Sequence, residues 1–299
     1  MCGIIASIGG DTVANTLEQY NKQKGRGQQG FGLVALKGGK RVAFERATTE
    51  ASIKALMMSI ADLKPDTILF HHRFPTSTAN LVEAAHPLPI SKKGWQHRYW
   101  MLHNGVVSGQ DAGEIKKDGY KLKSRIEEIR YLRTYSGRMY SEIVDSEVND
   151  SEYLGYYVAS FLEGKRQDIP MSGAIACFVL QENKKTGACQ VFAMRNYMNP
   201  IEVVRSKDKG IHTLQLSSEG KKGATLEPHK IWHVDMQTLK LSEHKAVNIG
   251  KKYEATPTKP MGYYATEVAD KEAAAIKAMT SPLKSKYTEK DGVLYVDGK

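Results

Sequence analysis

Met1-Cys2-Gly3-Ile4-Ile5-Ala6-Ser7-Ile8-Gly9-Gly10 opens the chain and decides how the rest is read. Cys2–Ile8 is a short apolar run closed by two glycines, the pattern of a buried strand. A cysteine stands directly after the initiator methionine, which is usually removed before a small residue. Removal leaves a thiol and a free α-amine on one carbon frame. Such an amine titrates near ~7.7–8.0, so it is partly neutral at pH 7 and can act as a base. A thiol beside its own N-terminal amine needs no histidine–aspartate relay to become a nucleophile. Taken alone, Cys2 reads first as a small residue near a ragged terminus.

Working outward, a series of short motifs follows in order. Arg26-Gly27-Gln28-Gln29-Gly30-Phe31-Gly32 is a glycine-rich turn leading into an apolar run. His71-His72-Arg73-Phe74-Pro75-Thr76-Ser77-Thr78 comes next, then Asn80 and His86-Pro87. His103-Asn104-Gly105 follows, then Asp150-Ser151-Glu152, Gly173-Ala174-Ile175-Ala176, Arg195–Pro200 (RNYMNP) and Ser217-Ser218-Glu219. Asn-Gly by itself is also the signature of a type I′ hairpin turn. Asp150 by itself also suits a helix N-cap.

The ordered set resembles the class II glutamine amidotransferases, the Cys-type N-terminal nucleophile hydrolases, over roughly residues 2–240. It is similar to the glutaminase domains of glutamate synthase, amidophosphoribosyltransferase and glucosamine-6-phosphate synthase. The resemblance implies an α+β fold, a four-layer αββα sandwich with two mainly antiparallel sheets and the nucleophile at the start of the first strand. It implies that Cys2 attacks the glutamine side-chain amide, forms a γ-glutamyl thioester and releases ammonia. Asn104 (side-chain NH2) and Gly105 (backbone N–H) would form the oxyanion hole. Arg73, with Thr76 beside it, would hold the substrate α-carboxylate, for which the planar guanidinium fork is suited. Asp150 would hold the α-ammonium. Asp145-Ser146-Glu147 competes for that role, but the segment from Asp150 leads directly into an apolar helix, as the family pattern does. Arg26 is carried over as a residue near the nucleophile, with holding the turn as the alternative. Ser77 departs from the histidine that many relatives carry, and glutamate synthase has a similar small residue there.

Helical patterns are expected at Thr12–Gln23, with Asp11 as cap, at Thr49–Leu63, and at Asp150–Glu163, read as amphipathic. Strands are expected at Gly32–Leu36, Thr67–His71, Ala174–Leu180, Gln190–Met194, Ile201–Val204, Thr213–Leu216 and Ile231–Leu241. The charged stretch near 114–145 reads as a helical insertion, over the site, at an interface, or simply solvated. The domain is expected to span 1–245. A C-terminal extension, 246–299, is read as a linker near Lys251–Pro260, a helix at Ala265–Met279 and a small apolar run, VLYV.

Composition narrows the classes further. With 299 residues, 41% hydrophobic and 25% charged, the chain has material for a sizeable core. No apolar stretch reaches about 18 residues, so no transmembrane helix is expected. The N-terminus lacks a basic region before its apolar run, which argues against a secretory signal. Three cysteines, Cys2, Cys177 and Cys189, form no C-x-x-C pair, so neither a disulfide scaffold nor a cysteine zinc site is expected, and the cytoplasm is the default compartment. His229 and His233 are four apart, but their segment reads as strand and turn, and no metal is expected. No cofactor is expected either. The net charge of +10 invites an acidic or nucleic-acid partner. No nucleic-acid module is apparent, so nucleic acid enters at most through a partner. About 60 residues follow position 240, too few for the synthase domain that relatives carry. The expected protein is therefore a glutaminase subunit feeding ammonia to a separate synthase. The alternatives are a free-standing amidohydrolase of a γ-glutamyl compound and an inactive basic binding protein of the same fold.

Overall fold

A computed structural model of the chain describes residues 2–74, 82–109, 111–123, 125–133, 139–219, 224–249, 287–290 and 293–296. For 125–133, 139–148, 248, 287–290 and 293–296 it describes the backbone. The chain divides into two compact units, Met1–Tyr253 and Glu254–Lys299.

In the first unit the elements run β1 (Gly3–Ile8), α1 (Thr12–Gln23), β2 (Gly30–Lys37), β3 (Lys40–Ala47), α2 (Glu50–Ala61) and β4 (Thr67–Arg73). Then come β5 (Leu88–Ile90), β6 (His97–Asn104), β7 (Val107–Ser108), α3 (Ala112–Lys117), β8 (Arg125–Arg133), β9 (Met139–Val148) and α4 (Asp150–Leu162). After α4 come β10 (Asp168–Ile169), β11 (Ser172–Gly173), β12 (Ala176–Asn183), β13 (Cys189–Arg195), β14 (Glu202–Asp208) and β15 (Ile211–Ser217). The last are β16 (Ala224–Thr225), β17 (Lys230–Val234), β18 (Leu241–Ala246) and β19 (Asn248–Ile249). The second unit contains β20 (Tyr287–Lys290) paired antiparallel with β21 (Val293–Val296), the VLYV run. The expected helix at Ala265–Met279 and the linker at Lys251–Pro260 lie outside the described residues.

Two antiparallel sheets make the frame. The first has seven strands in the order β16-β14-β15-β1-β4-β2-β3, and the second six, β18-β17-β13-β12-β6-β5. Side chains alternate across a strand, and this alternation sorts the core into three layers. Ile4, Ala6, Ile8, Val34 and Leu69 of the first sheet meet Leu102, Phe178, Leu180 and Val191 of the second. The opposite face of the first sheet, with Ile5, Phe31, Leu33 and Phe70, packs on Tyr20 of α1 and on Ile53, Met57 and Ile60 of α2. The outer face of the second sheet, with Met101, Cys177 and Phe192, packs on Leu154, Tyr157, Val158 and Phe161 of α4. The order is helix, sheet, sheet, helix, as the sequence motifs imply.

Local chemistry fixes the helix starts. Asp11 accepts from Ala14 N at 3.0 Å and caps α1, and Thr49 accepts from Ser52 N at 3.2 Å and caps α2. The α4 cap is Asn149, whose Oδ1 accepts from Ser151 N at 3.0 Å. Asp150 is therefore the first helical residue and not the cap.

Three expectations are corrected. Among the described residues the charged segment is helical only over Ala112–Lys117, and β8 and β9 pair antiparallel. Its isoleucines, valines and tyrosines favour strand. The stretch Ile231–Leu241 is two strands, β17 and β18, joined by a turn in which Asp235 accepts from Gln237 N and Thr238 N, each at 2.9 Å. Helix α4 is not amphipathic, since Ser151–Phe161 are all buried. Besides the second sheet, the segment Asp118–Lys123 lies against it: Glu152 accepts from Tyr120 OH and Lys123 N, both at 2.8 Å.

Candidate active site

The first sheet carries one half of the site. β1 and β4 run antiparallel with Gly3 opposite His72, which sets Cys2 level with Arg73. By strand alternation both share the side of Ile4 and Leu69, the space between the sheets. Gly3 is required for this approach: a Cβ there would stand 2.0 Å from His72 Nε2. The Cys2 thiol contacts Phe74 O at 3.8 Å. Burial pushes this thiol up from its ordinary value, while the nearby Arg73 and Arg26 guanidinium groups pull it back. Arg26 closes a single turn of 3-10 helix, Lys24–Arg26, and its Nε donates to Cys2 O at 3.0 Å.

The second sheet carries the other half. Asn104 ends β6 on the side of Leu102, facing the same inter-sheet space. Its amide donates to Cys2 O at 3.0 Å and accepts from Arg26 Nη2 and Ser218 Oγ, each at 3.2 Å. Ser218 in turn is tied to β1: its Oγ accepts from Ile4 N and its N donates to Ile4 O, both at 3.1 Å. Gly105 follows with φ of +150°, and a Cβ there would stand 1.8 Å from Ala174 O. The hairpin alternative for Asn104-Gly105 does not hold. β7, beyond it, pairs with β11, while β6 pairs with β5 and β12.

Asp150 approaches from α4. Its Oδ2 accepts from Val107 N at 2.8 Å, just past Gly105, and its charge acts on Arg73. Beside it, His103 Nε2–H donates to Ala174 O at 3.0 Å, so the Nδ1 of the neutral ring accepts from Ser151 Oγ at 2.8 Å. Burial lowers the His103 pKa, partly offset by Asp150, and keeps the ring neutral. Thus Cys2, Arg26, Arg73, Asn104, Gly105 and Asp150 come together at one end of the sandwich. Thr76 lies outside the described residues, and of Asp145 only the backbone, on β9, is described.

Several residues here were landmarks in the sequence without assigned roles. In the Arg195–Pro200 segment, Asn196 accepts from Ile175 N at 3.1 Å and donates to Gly173 O at 2.5 Å. Asn199 Nδ2 donates to Asn104 O at 2.7 Å. Arg195 Nη1 closes the turn on the carbonyls of Asn196 and Asn199, at 2.9 and 3.2 Å. His71 and His86 belong to the His71–Thr78 and His86-Pro87 motifs. Their rings are fully buried with centroids 4.3 Å apart, and none of their nitrogens has a partner among the described residues. Burial holds both far below the ordinary imidazole range. His72 donates from Nδ1 to Gly27 O at 2.9 Å and is lowered by burial to about 4. Among the described residues no three His, Cys, Asp or Glu converge as metal ligands would. His229 and His233 lie on β17 and the turn before it, and not on a helix face. Cys177 and Cys189 are buried free thiols. Among the described residues no helix is long and apolar enough to cross a membrane.

No protein-family profile and no curated protein sequence matches the chain. Solved structures do. One is described as the allosteric regulatory enzyme of purine biosynthesis, at 15% identity and a TM-score of 0.55 over 83% of this chain and 50% of the other. Another is glutamine phosphoribosylpyrophosphate amidotransferase from B. subtilis, complexed with ADP and GMP, at 15% identity and a TM-score of 0.52 over 82% and 49%. The chain spans about half the length of each. With its helix–sheet–sheet–helix layers and these neighbours, the chain has the α+β sandwich fold of the N-terminal nucleophile hydrolases.

Proposed function

We propose that this chain hydrolyses the side-chain amide of glutamine to glutamate and ammonia. The observation that carries the reading is the convergence of Cys2, Arg73, Asn104, Gly105 and Asp150 on one end of the inter-sheet space. Once Met1 is removed, the Cys2 α-amine takes the thiol proton as sulfur attacks the amide carbon. The oxyanion that forms accepts from the Asn104 side-chain NH2 and the Gly105 N–H. As the tetrahedral species collapses, the C–N bond breaks, the proton passes to the leaving nitrogen, and ammonia departs from a γ-glutamyl thioester. Water then adds to the thioester and releases glutamate and the thiol. Arg73 holds the substrate α-carboxylate, with Thr76 beside it, and Asp150 holds the α-ammonium. Arg26 and Asn104 fix the Cys2 carbonyl.

The ammonia goes to a synthase on a separate polypeptide. Four exposed apolar side chains support a protein contact at the mouth. Phe74 follows Arg73, Val106 follows Gly105, and Tyr197 and Met198 lie in the turn that holds Asn104. Apolar groups clustered around a site and left open to water are a common mark of a docking rim.

The deciding measurement is ammonia release from glutamine by protein whose mass shows loss of Met1. Release that Cys2→Ala silences is expected. No release from the Met1-free protein, or undiminished release by Cys2→Ala, would overturn the reading. Recovery of a synthase with the tagged protein from its own cells tests the partner, and ammonia transfer within that complex is expected.

A further inference from the structure

Resting on the glutaminase reading above, we propose that Asn199 is a positioning residue that aims the Gly105 N–H at the oxyanion. Its Nδ2 donates to the main-chain oxygen of Asn104 at 2.7 Å. That oxygen and the Gly105 N–H belong to one peptide unit. In a planar trans peptide they point in opposite directions. Fixing the oxygen on one side therefore fixes the hydrogen on the other.

The peptide stands at the margin of the sheet. Asn104 is the last residue of β6 and pairs with Ala176 of β12, and the chain leaves the strand at Gly105. Gly105, at φ of +150°, has the conformational freedom that a side chain would have removed. The far side of Gly105 is held separately: Val106 O accepts from Ala174 N at 2.9 Å, and Asn196 fixes Gly173 and Ile175. Asn199 adds a side-chain restraint on the near side, beside the pairing of Asn104 with Ala176. It is itself anchored, since Arg195 Nη1 donates to its carbonyl at 3.2 Å and Arg195 Nε donates to Leu226 O at 2.6 Å. The substrate carboxylate and ammonium are assigned elsewhere, to Arg73 and Asp150. Loss of the Asn199 bond should therefore weaken the transition state and spare substrate binding. A misaimed donor costs less than a deleted one, and deleting one costs about 10²–10³ in kcat.

The test uses the whole, Met1-free protein with Asn199→Ala and the near-isosteric Asn199→Asp, whose carboxylate repels the Asn104 oxygen. Asn199 is half-buried, so both are expected to fold, and melting curves check this. The expected result is a fall in kcat for glutamine of about 10–100-fold with KM within threefold. Alkylation of Cys2 by iodoacetamide, a displacement that forms no oxyanion, should stay within twofold of wild type. Unchanged kcat in a folded variant overturns the proposal. So does a parallel loss of kcat, substrate affinity and alkylation, which marks general disruption. If wild type releases no ammonia, the glutaminase reading itself fails and this inference falls with it. If wild type is active and the variants match it, only this inference falls.

Discussion

The two sheets contribute different kinds of group to the candidate site. The first sheet brings side chains: the Cys2 thiol at the head of β1 and the Arg73 guanidinium at the end of β4. The second brings a backbone arrangement: Gly105, bent at a φ that favours glycine, follows Asn104 with the Ala174 carbonyl packed close against it. Under the proposed reaction the first half supplies the nucleophile and a grip on the substrate, and the second waits for charge that exists only in the transition state. Changes in the second half should therefore act on kcat, and Arg73 should act on KM.

Gly105→Ala should show the largest effect of the binding and oxyanion groups. Its Cβ meets Ala174 O at 1.8 Å, so the donor cannot stay in place. We expect kcat to fall by about 10³ or more and the melting temperature to drop as well. Asn104→Ala removes one donor and leaves the backbone; a fall in kcat of about 10²–10³ with KM little changed is expected. If KM rises instead and kcat holds, the division between the sheets is wrong. Arg73→Ala should raise KM for glutamine by about 10²-fold, in line with ~1.5–3 kcal/mol for a hydrogen bond to a charged group. Steady-state kinetics that put this loss in kcat would shift Arg73 to the chemical step.

The smallest effect concerns the buried histidines near the site. His71 and His86 are buried neutral, and His72 titrates at about 4, all below the ordinary imidazole value of about 6.5. The unfolded chain binds protons that the folded one refuses. The stability these rings contribute is therefore complete above pH ~6.5 and is lost as pH falls through that value toward the folded pKa values. Each ring contributes a slope of up to ~1.4 kcal/mol per pH unit in that window. Melting curves between pH 7 and 5 should show the decline, and His86→Leu should flatten it. A slope unchanged in that variant would mean that other groups carry the acid sensitivity.

Much of this was legible in the sequence, and the gaps have physical causes. Helix α1 announced itself through a capping side chain and a helical pattern, and α2 through its pattern and the Lys64-Pro65 that closes it. Strand β6 did not. His97–Asn104 is buried on both faces along most of its length, so its apolar residues show no alternation. Strand β3 was missed for the opposite reason: Lys40–Ala47 is half-exposed and mixes Arg, Glu and Phe. The charges of 125–148 suggested solvated helix, whereas an antiparallel pair of strands accommodates them as well. At the site, Cys2 stands out by its place behind the initiator methionine, and Arg73 and Asn104 could be named through motifs that resemble the family's. Ser218, Ser151 and Asn199 act through hydrogen bonds between segments far apart in the chain, and no local pattern records such a bond.

The grip on Cys2 has a last consequence. Arg26 and Asn104 both hold its carbonyl, the side of the residue that leads into the sheet. Neither bond involves its nitrogen. A peptidase that trims the preceding methionine therefore alters the chemistry of the residue without touching what anchors it. Under the proposed reaction, assembly and switching-on become separable events, and an untrimmed chain would be a finished scaffold waiting for one cut.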